Sequence, residues 1–193
     1  MINETELSKK TIFSFEVFPP KKTMPIDTIY STLDELKDLK PDFISVTFGA
    51  GGSENCDNTL NIAKRIKEVC GVEPVVHMPC INMTKQEANY ILQQFQQAGI
   101  DNILALRGDK VEGKEPSNEF LHASDMIHYL KERTSFHIAG ACYPEKHFES
   151  FSMESDLNHL KLKQDAGAEF FITQLFFDND YFYNFREKAA KKG

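Results

Sequence analysis

Apolar residues along this chain arrive in short dense runs, and between the runs they recur every three or four positions. The run TIFSFEVF (residues 11–18) is rich in β-branched and aromatic side chains and predicts a strand, ended by Pro19-Pro20. Asp27 opens a predicted helix with Ile29, Leu33, Leu36 and Leu39 at helical spacing. FISVTFG (43–49) predicts a second strand, followed by the glycine-rich loop Gly49-Ala50-Gly51-Gly52. Leu60, Ala63, Ile66 and Val69 mark the next helix, and PVVHMPC (74–80) a third strand. Thr84 and Glu87 stand as a capping box before a helix lined by Ala88, Ile91, Leu92 and Phe95, which Gly99 stops. NILALRGD (102–109) predicts the fourth strand, a charged loop spans 110–117, and Phe120, Ala123, Ile127 and Leu130 line the following helix. FHIAGACYP (136–144) and FFITQLFF (170–177) predict the fifth and sixth strands, with a helix over 156–166 between them. A last helix carries Tyr181, Phe182, Phe185 and Ala189.

Strand alternating with helix implies a parallel sheet covered by helices. Two architectures satisfy the pattern, an open doubly wound sheet and a (β/α)8 barrel, and both place ligands at the carboxyl ends of the strands. A complete barrel takes about 250 residues. The 193 residues here supply about six of its eight βα units. Either the sheet is open, or this is a barrel lacking its last quarter.

With 41% hydrophobic and 26% charged residues, the composition is that of a globular chain. The polar start MINETELSKK lacks the basic-then-apolar pattern of a signal peptide, and no apolar run approaches a bilayer span, so no membrane role is expected. Cys56, Cys70, Cys80 and Cys142 form no CxxC pair and no metal-type spacing, which suits a reducing cytoplasm. A net charge of −7 argues against nucleic acid as the partner and leaves room for a local basic pocket around one anionic ligand.

Polar residues collect where the strands end. Glu16 sits between Phe15 and Val17, where a carboxylate either faces solvent on an edge strand or is buried with a raised pKa, as suits a general acid. Thr47 precedes the glycine-rich loop, which is a flexible turn or a place for a flat ring to approach, and which is not a GxGxxG fingerprint. His77 closes the third strand as a hydrogen-bonded core residue or a ligand contact; no second histidine or carboxylate lies at metal spacing, so no metal is expected. Arg107-Gly108-Asp109 reads as an adhesion tripeptide, an ordinary turn or the mouth of a site. Tyr143 and His147 follow strand five, and Gln174 lies among phenylalanines, as a core amide satisfied by backbone or as a ligand contact. Asp156, His159 and Lys163 share one helix face, which is a solvated surface or part of the same rim. Phe176, Phe177, Tyr181 and Phe185 read most simply as core. Every predicted strand contributes a polar group to one rim, and a parallel α/β fold builds its site there.

The stretches FSFEVFPPK, SVTFGAGGS, HMPC, LALRGD, GACYPEKH and DLNHLKLKQDAGAEFFITQLFFD together resemble the methylenetetrahydrofolate reductase family in its short bacterial form. The resemblance implies a TIM (β/α)8-type barrel, about six of whose βα units are present, as one catalytic domain over residues 1–193 that is incomplete at its C-terminal end. It implies a flavin-dependent oxidoreductase in which tightly bound FAD, reduced by NADH or NADPH, passes hydride to 5,10-methylenetetrahydrofolate and yields 5-methyltetrahydrofolate for methionine supply. Glu16 falls on the family's general acid, and Asp109 on the carboxylate between flavin and pterin. Gln174 falls on a substrate contact. Thr47, His77, Arg107, Gly108 and Asp109 match FAD-holding positions, as do Tyr143, His147, Asp156, His159 and Lys163, with Ala123 allowing close approach. Leu162 departs from relatives that carry a charge there. Family members commonly associate, which implies a homo-oligomer. The competing expectations are a non-catalytic or FAD-binding-only barrel fragment and a flavin-free TIM-barrel enzyme.

Overall fold

A computed structural model describes residues 11–20, 23–48, 53–110 and 115–193. The glycine-rich loop at 49–52 and the middle of the loop after the fourth strand lie outside the described residues. Strands β1 (Ser14–Val17), β2 (Phe43–Val46), β3 (Glu73–Pro79), β4 (Asn102–Leu106), β5 (His137–Cys142) and β6 (Phe170–Thr173) alternate with helices. These are α1 (Asp27–Leu36), α2 (Ser53–Glu68), α3 (Lys85–Gln97), α4 (Ala123–Arg133), α5 (Met153–Asp165) and α6 (Asn179–Lys192), with a 3-10 turn at Lys37–Leu39. The strands pair in parallel in the order β1-β2-β3-β4-β5-β6. A helix after each strand and neighbours that follow chain order are the wiring of a TIM-type barrel, here six strands wide, with β1 and β6 at the two edges.

The pleat sorts side chains onto two faces. Val17, Ile44, Val46, Val76, Met78, Ile103 and Ile138 join the apolar stripes of the helices, such as Leu33, Ile66, Phe95 and Ile127, in one large core. The opposite face packs Phe43, Val75, Leu104 and Ala139 in a smaller cluster. Polar side chains also lie on this second face, which is why it matters for the site.

Local chemistry follows the expected punctuation in several places. Thr84 accepts the Glu87 N–H while the Glu87 carboxylate accepts the Thr84 N–H, which completes the capping box of α3. Gly99 ends that helix at φ +65°, a left-handed turn that side chains with a Cβ disfavour. Other expectations are corrected. β1 is shorter than its apolar run, because the Phe13 N–H turns to the Asp42 carboxylate before the ladder with β2 begins. Phe120 precedes α4 instead of lining it, yet is 1% exposed, edge-on to the Tyr129 ring. Leu39 and Val69 lie past their helices and are exposed. α5 begins at Met153, where Ser152 accepts the Ser155 N–H as its cap. Of the aromatics expected in the core at the chain's end, only Phe185 is buried; Phe177 is 91% exposed and Tyr181 is also exposed, because β6 has no further strand beside it.

Candidate functional site

The register puts Glu16 level with Ser45 on the second face, and His77 level with Leu104 on the same face. Ser45 donates to Glu16 Oε2 at 3.5 Å. His77 Nε2 comes within 3.4 Å of that same oxygen without hydrogen-bond alignment, so a buried ring nitrogen is left without a partner among the described residues. Burial pushes the His77 imidazole down to about 4, so the ring is neutral at pH 7 and its contact with Glu16 is not an ion pair. Of the two readings of Glu16, the buried one is corrected: its side chain is 53% exposed, and β1 is an edge strand with no other described strand on its outer side.

The ends of β3 and β4 are stitched together beyond the sheet. Cys80 and Ile81 N–H groups donate to the Arg107 carbonyl at 3.1 and 2.8 Å, and Asn82 Nδ2 donates to the Asp109 carbonyl at 2.9 Å. Gly108 turns the chain at φ +79°, and a Cβ there would stand 2.7 Å from Pro79 Cβ, so both conformation and space demand glycine. The Arg107 side chain turns back across the rim, its Nε donating to the Gly108 carbonyl at 3.3 Å and its terminal nitrogen pairing with Glu149. That hydrogen bond raises the Arg107 pKa and lowers that of Glu149. Asp109 is exposed beside them, close enough for its charge to act on both Arg107 and Tyr143.

After β5 the chain makes a tight loop framed by α5. Lys146 takes a positive φ of 78°, and its ammonium donates to the carbonyls of His147 and Ser150 at 3.0 and 2.6 Å. Asp156 accepts from the His147 N–H at 3.0 Å and from Ser150 Oγ at 2.9 Å. The Tyr143 and His147 rings meet edge to face at 4.6 Å. Burial raises the Tyr143 pKa; burial, with Arg107 nearby, lowers that of His147. Lys163 rises from α5 over Gly140, where its stem shares space with the Phe171 ring, and its ammonium donates to the Ala141 carbonyl at 2.7 Å. Burial lowers its pKa, while Asp156 opposes the shift.

Arg107, Tyr143, His147, Asp156 and Lys163 thus form one connected wall across β4 and β5, and Glu16 with His77 a second group on β1 and β3. His159 is exposed on α5 and its ring lies nearly parallel to that of His122, with centroids 6.4 Å apart; buried Ala123 is the next residue. Thr47 takes part through its backbone, its N–H donating to Val17 and its carbonyl accepting from Thr59. Gln174 is corrected: it lies past the end of β6, is exposed, and its amide oxygen accepts the N–H of Leu175. Two residues that sequence reasoning passed over join the site. His122 had one signal, its place at the N-cap of α4. Glu149, 42 positions from Arg107, had none.

The rim therefore gathers two cations, a neutral imidazole with an orphaned nitrogen, and flat aromatic faces, at the strand ends where this fold binds ligands. The donor set suits an anionic ligand that also carries a planar ring. Likeness to solved structures extends to the fold: phosphoenolpyruvate phosphomutase from Streptomyces platensis subsp. rosaceus superposes with a TM-score of 0.63 over 92% of this chain and 64% of that one, at 12% identity. An oxaloacetate acetylhydrolase gives 0.62 over 93% and 64%, also at 12% identity. Among curated proteins, the 5,10-methylenetetrahydrofolate reductases of Pectobacterium carotovorum subsp. carotovorum and Escherichia coli (strain K12) are each 42% identical over 97% and 93% of this chain. The chain spans 62% and 60% of their respective lengths. Methylenetetrahydrofolate reductase (NADH) 1 of Arabidopsis thaliana is 38% identical over 95% of this chain and 33% of its own. The methylenetetrahydrofolate reductase family model matches residues 1–193, and the chain belongs to that family.

Proposed function

We propose that this chain holds FAD along the β3–β5 rim and takes part in the NAD(P)H-dependent reduction of 5,10-methylenetetrahydrofolate to 5-methyltetrahydrofolate. The observation that carries the reading is the wall of Arg107, Tyr143, His147 and Lys163, which faces the same rim as the unpartnered nitrogen of His77, in a chain matched from end to end by the family. Arg107 and Lys163 are the cations for an anionic diphosphate, and Asp156 keeps the loop that carries His147 in shape. Neutral His77 offers a buried polar nitrogen to a ring that covers it. Ala123 and Gly108 let the ligand approach backbone closely, and Thr47 and His159 border it. When bound, FAD would supply a two-electron relay between the nicotinamide and the folate.

The chain's own residues handle the proton. Glu16 delivers it to the folate nitrogen that departs as the five-membered ring opens, a role that contributes about 10²–10⁴ in rate where it operates. Its exposure lets water return the proton after each turnover. Asp109, exposed beside Arg107, would face both flavin and pterin and hydrogen-bond the pterin, and Gln174 would be the further pterin or nicotinamide contact. The purified protein is expected to be yellow, or to keep a yellow flavin after incubation with FAD and gel filtration, and to bleach with NADH without oxygen. A protein that retains no flavin once unbound FAD has been removed would sink the reading.

A second reading, FAD binding without folate turnover, is favoured by the exposure of Glu16 on β1, an edge strand among the described residues. It is distinguished by assay: the flavin bleaches with NADH, yet no 5-methyltetrahydrofolate forms.

A further inference from the structure

Glu149 stands outside the residues assigned above, yet it touches two of them in different ways. Its carboxylate pairs with Arg107 from β4, and its backbone N–H donates to His147 Nδ1 at 3.2 Å. The second contact makes Nδ1 an acceptor, so the proton of the neutral ring resides on Nε2. We propose that Glu149 is a positioning residue, which holds the Arg107 guanidinium against the loop after β5 and so keeps Arg107 and His147 aimed together at one anionic ligand. The proposal rests on the FAD reading of the site.

The frame behind Glu149 is built before any ligand arrives. Asp156 fixes the loop at the His147 N–H and Ser150 Oγ, and Lys146 fixes it at the carbonyls of His147 and Ser150. Arg107, on a long flexible stem, therefore meets a carboxylate whose place is set by its loop. The Glu149 side chain is half-exposed, and a pair so open to water adds little to folding. Its effect belongs instead in the direction of the guanidinium, which a ligand reads.

Three variants separate positioning from structure. Glu149→Ala and Glu149→Gln are expected to leave the melting temperature of the free chain unchanged and to weaken FAD binding, followed by flavin fluorescence quenching, about tenfold, the size of a lost charge-assisted hydrogen bond. Glu149→Asp keeps the charge and is expected to restore most of the affinity. Independently of FAD, the side-chain 15N signals of Arg107 should report a guanidinium held in one orientation in the parent and rotating freely in Glu149→Ala, while His147 keeps an unprotonated Nδ1 in both, because its donor is the Glu149 backbone N–H. Parent-like or tighter FAD binding in both the Ala and Gln variants overturns the proposal, the tighter case marking Glu149 as a competitor of the ligand. If the parent itself binds no FAD, the cofactor reading falls. The Arg107 spectrum then decides alone, and an unchanged spectrum in Glu149→Ala overturns the positioning role.

Discussion

Acid should destabilise this protein in a way that one side chain controls. His77 is buried on the inner face of the sheet, and burial holds its pKa at about 4 instead of 6.5. The unfolded chain takes up a proton at this residue in a pH range where the folded chain refuses it. The stability that neutral His77 contributes is therefore whole above about pH 6.5 and is lost as the pH falls towards 4. A gap of this size, at about 1.4 kcal/mol per unit, is worth about 3 kcal/mol, most of which is already gone at about pH 4.5. Other groups titrate in the same range, among them Glu169, whose pKa is lowered by its bonds to His137 and Lys131 against the opposing effect of burial. A comparison with His77→Gln removes that background, because the variant keeps every other group. Urea unfolding at about pH 7.5 and 4.5 should show the parent losing about 2.5 kcal/mol more than the variant between the two conditions. Parallel losses in the two proteins would refute the burial argument, whatever the absolute stability of the variant.

Three further outcomes are expected. Gly108→Ala forces a Cβ to 2.7 Å from Pro79 Cβ at a positive φ, and should lower stability by about 2 kcal/mol, seen as a fall of several degrees in thermal unfolding. Lys163→Met keeps the stem packed over Gly140 and removes the ammonium, so the fold should persist while FAD affinity drops about tenfold by fluorescence quenching; parent-like affinity would remove Lys163 from the site. Glu16→Gln should leave bleaching by NADH intact and cut 5-methyltetrahydrofolate formation by about a hundredfold or more in stopped-flow assays, and normal folate turnover would exclude Glu16 as the acid.

The order of elements is legible in the sequence because each signal for it is local. The Thr84–Glu87 box, the stop at Gly99 and the near-continuous apolar run of β3 each need only their own neighbours. The rim is legible for a related reason, since a parallel sheet sends its strand ends to one side. What the chain order hides is which side of a strand stays uncovered. Glu16 and Gln174 both sit in apolar company, and both are exposed, because one lies on an edge strand and the other just past the end of one. Local pattern cannot separate an interior strand from an edge one when both alternate alike. Glu149 is hidden for the opposite reason: in EKHFES it reads as a solvated loop residue, and its partner lies on another strand.

The sequential strand order also bears on how the molecule assembles. Each strand pairs with the strand made just before it, as Phe43 does with Ser14 and Phe170 with Ala139, so no pairing must wait for a distant part of the chain. Loop closure is short and similar at every step, which keeps contact order low for a parallel sheet. Growth during synthesis can then proceed from the N-terminal edge, with each βα unit docking on a template already in place. At every stage the newest strand presents a free row of backbone groups, a tacky margin that the next unit covers. Pulse-labelled hydrogen exchange during refolding should accordingly find β2 to β4 protected before β6.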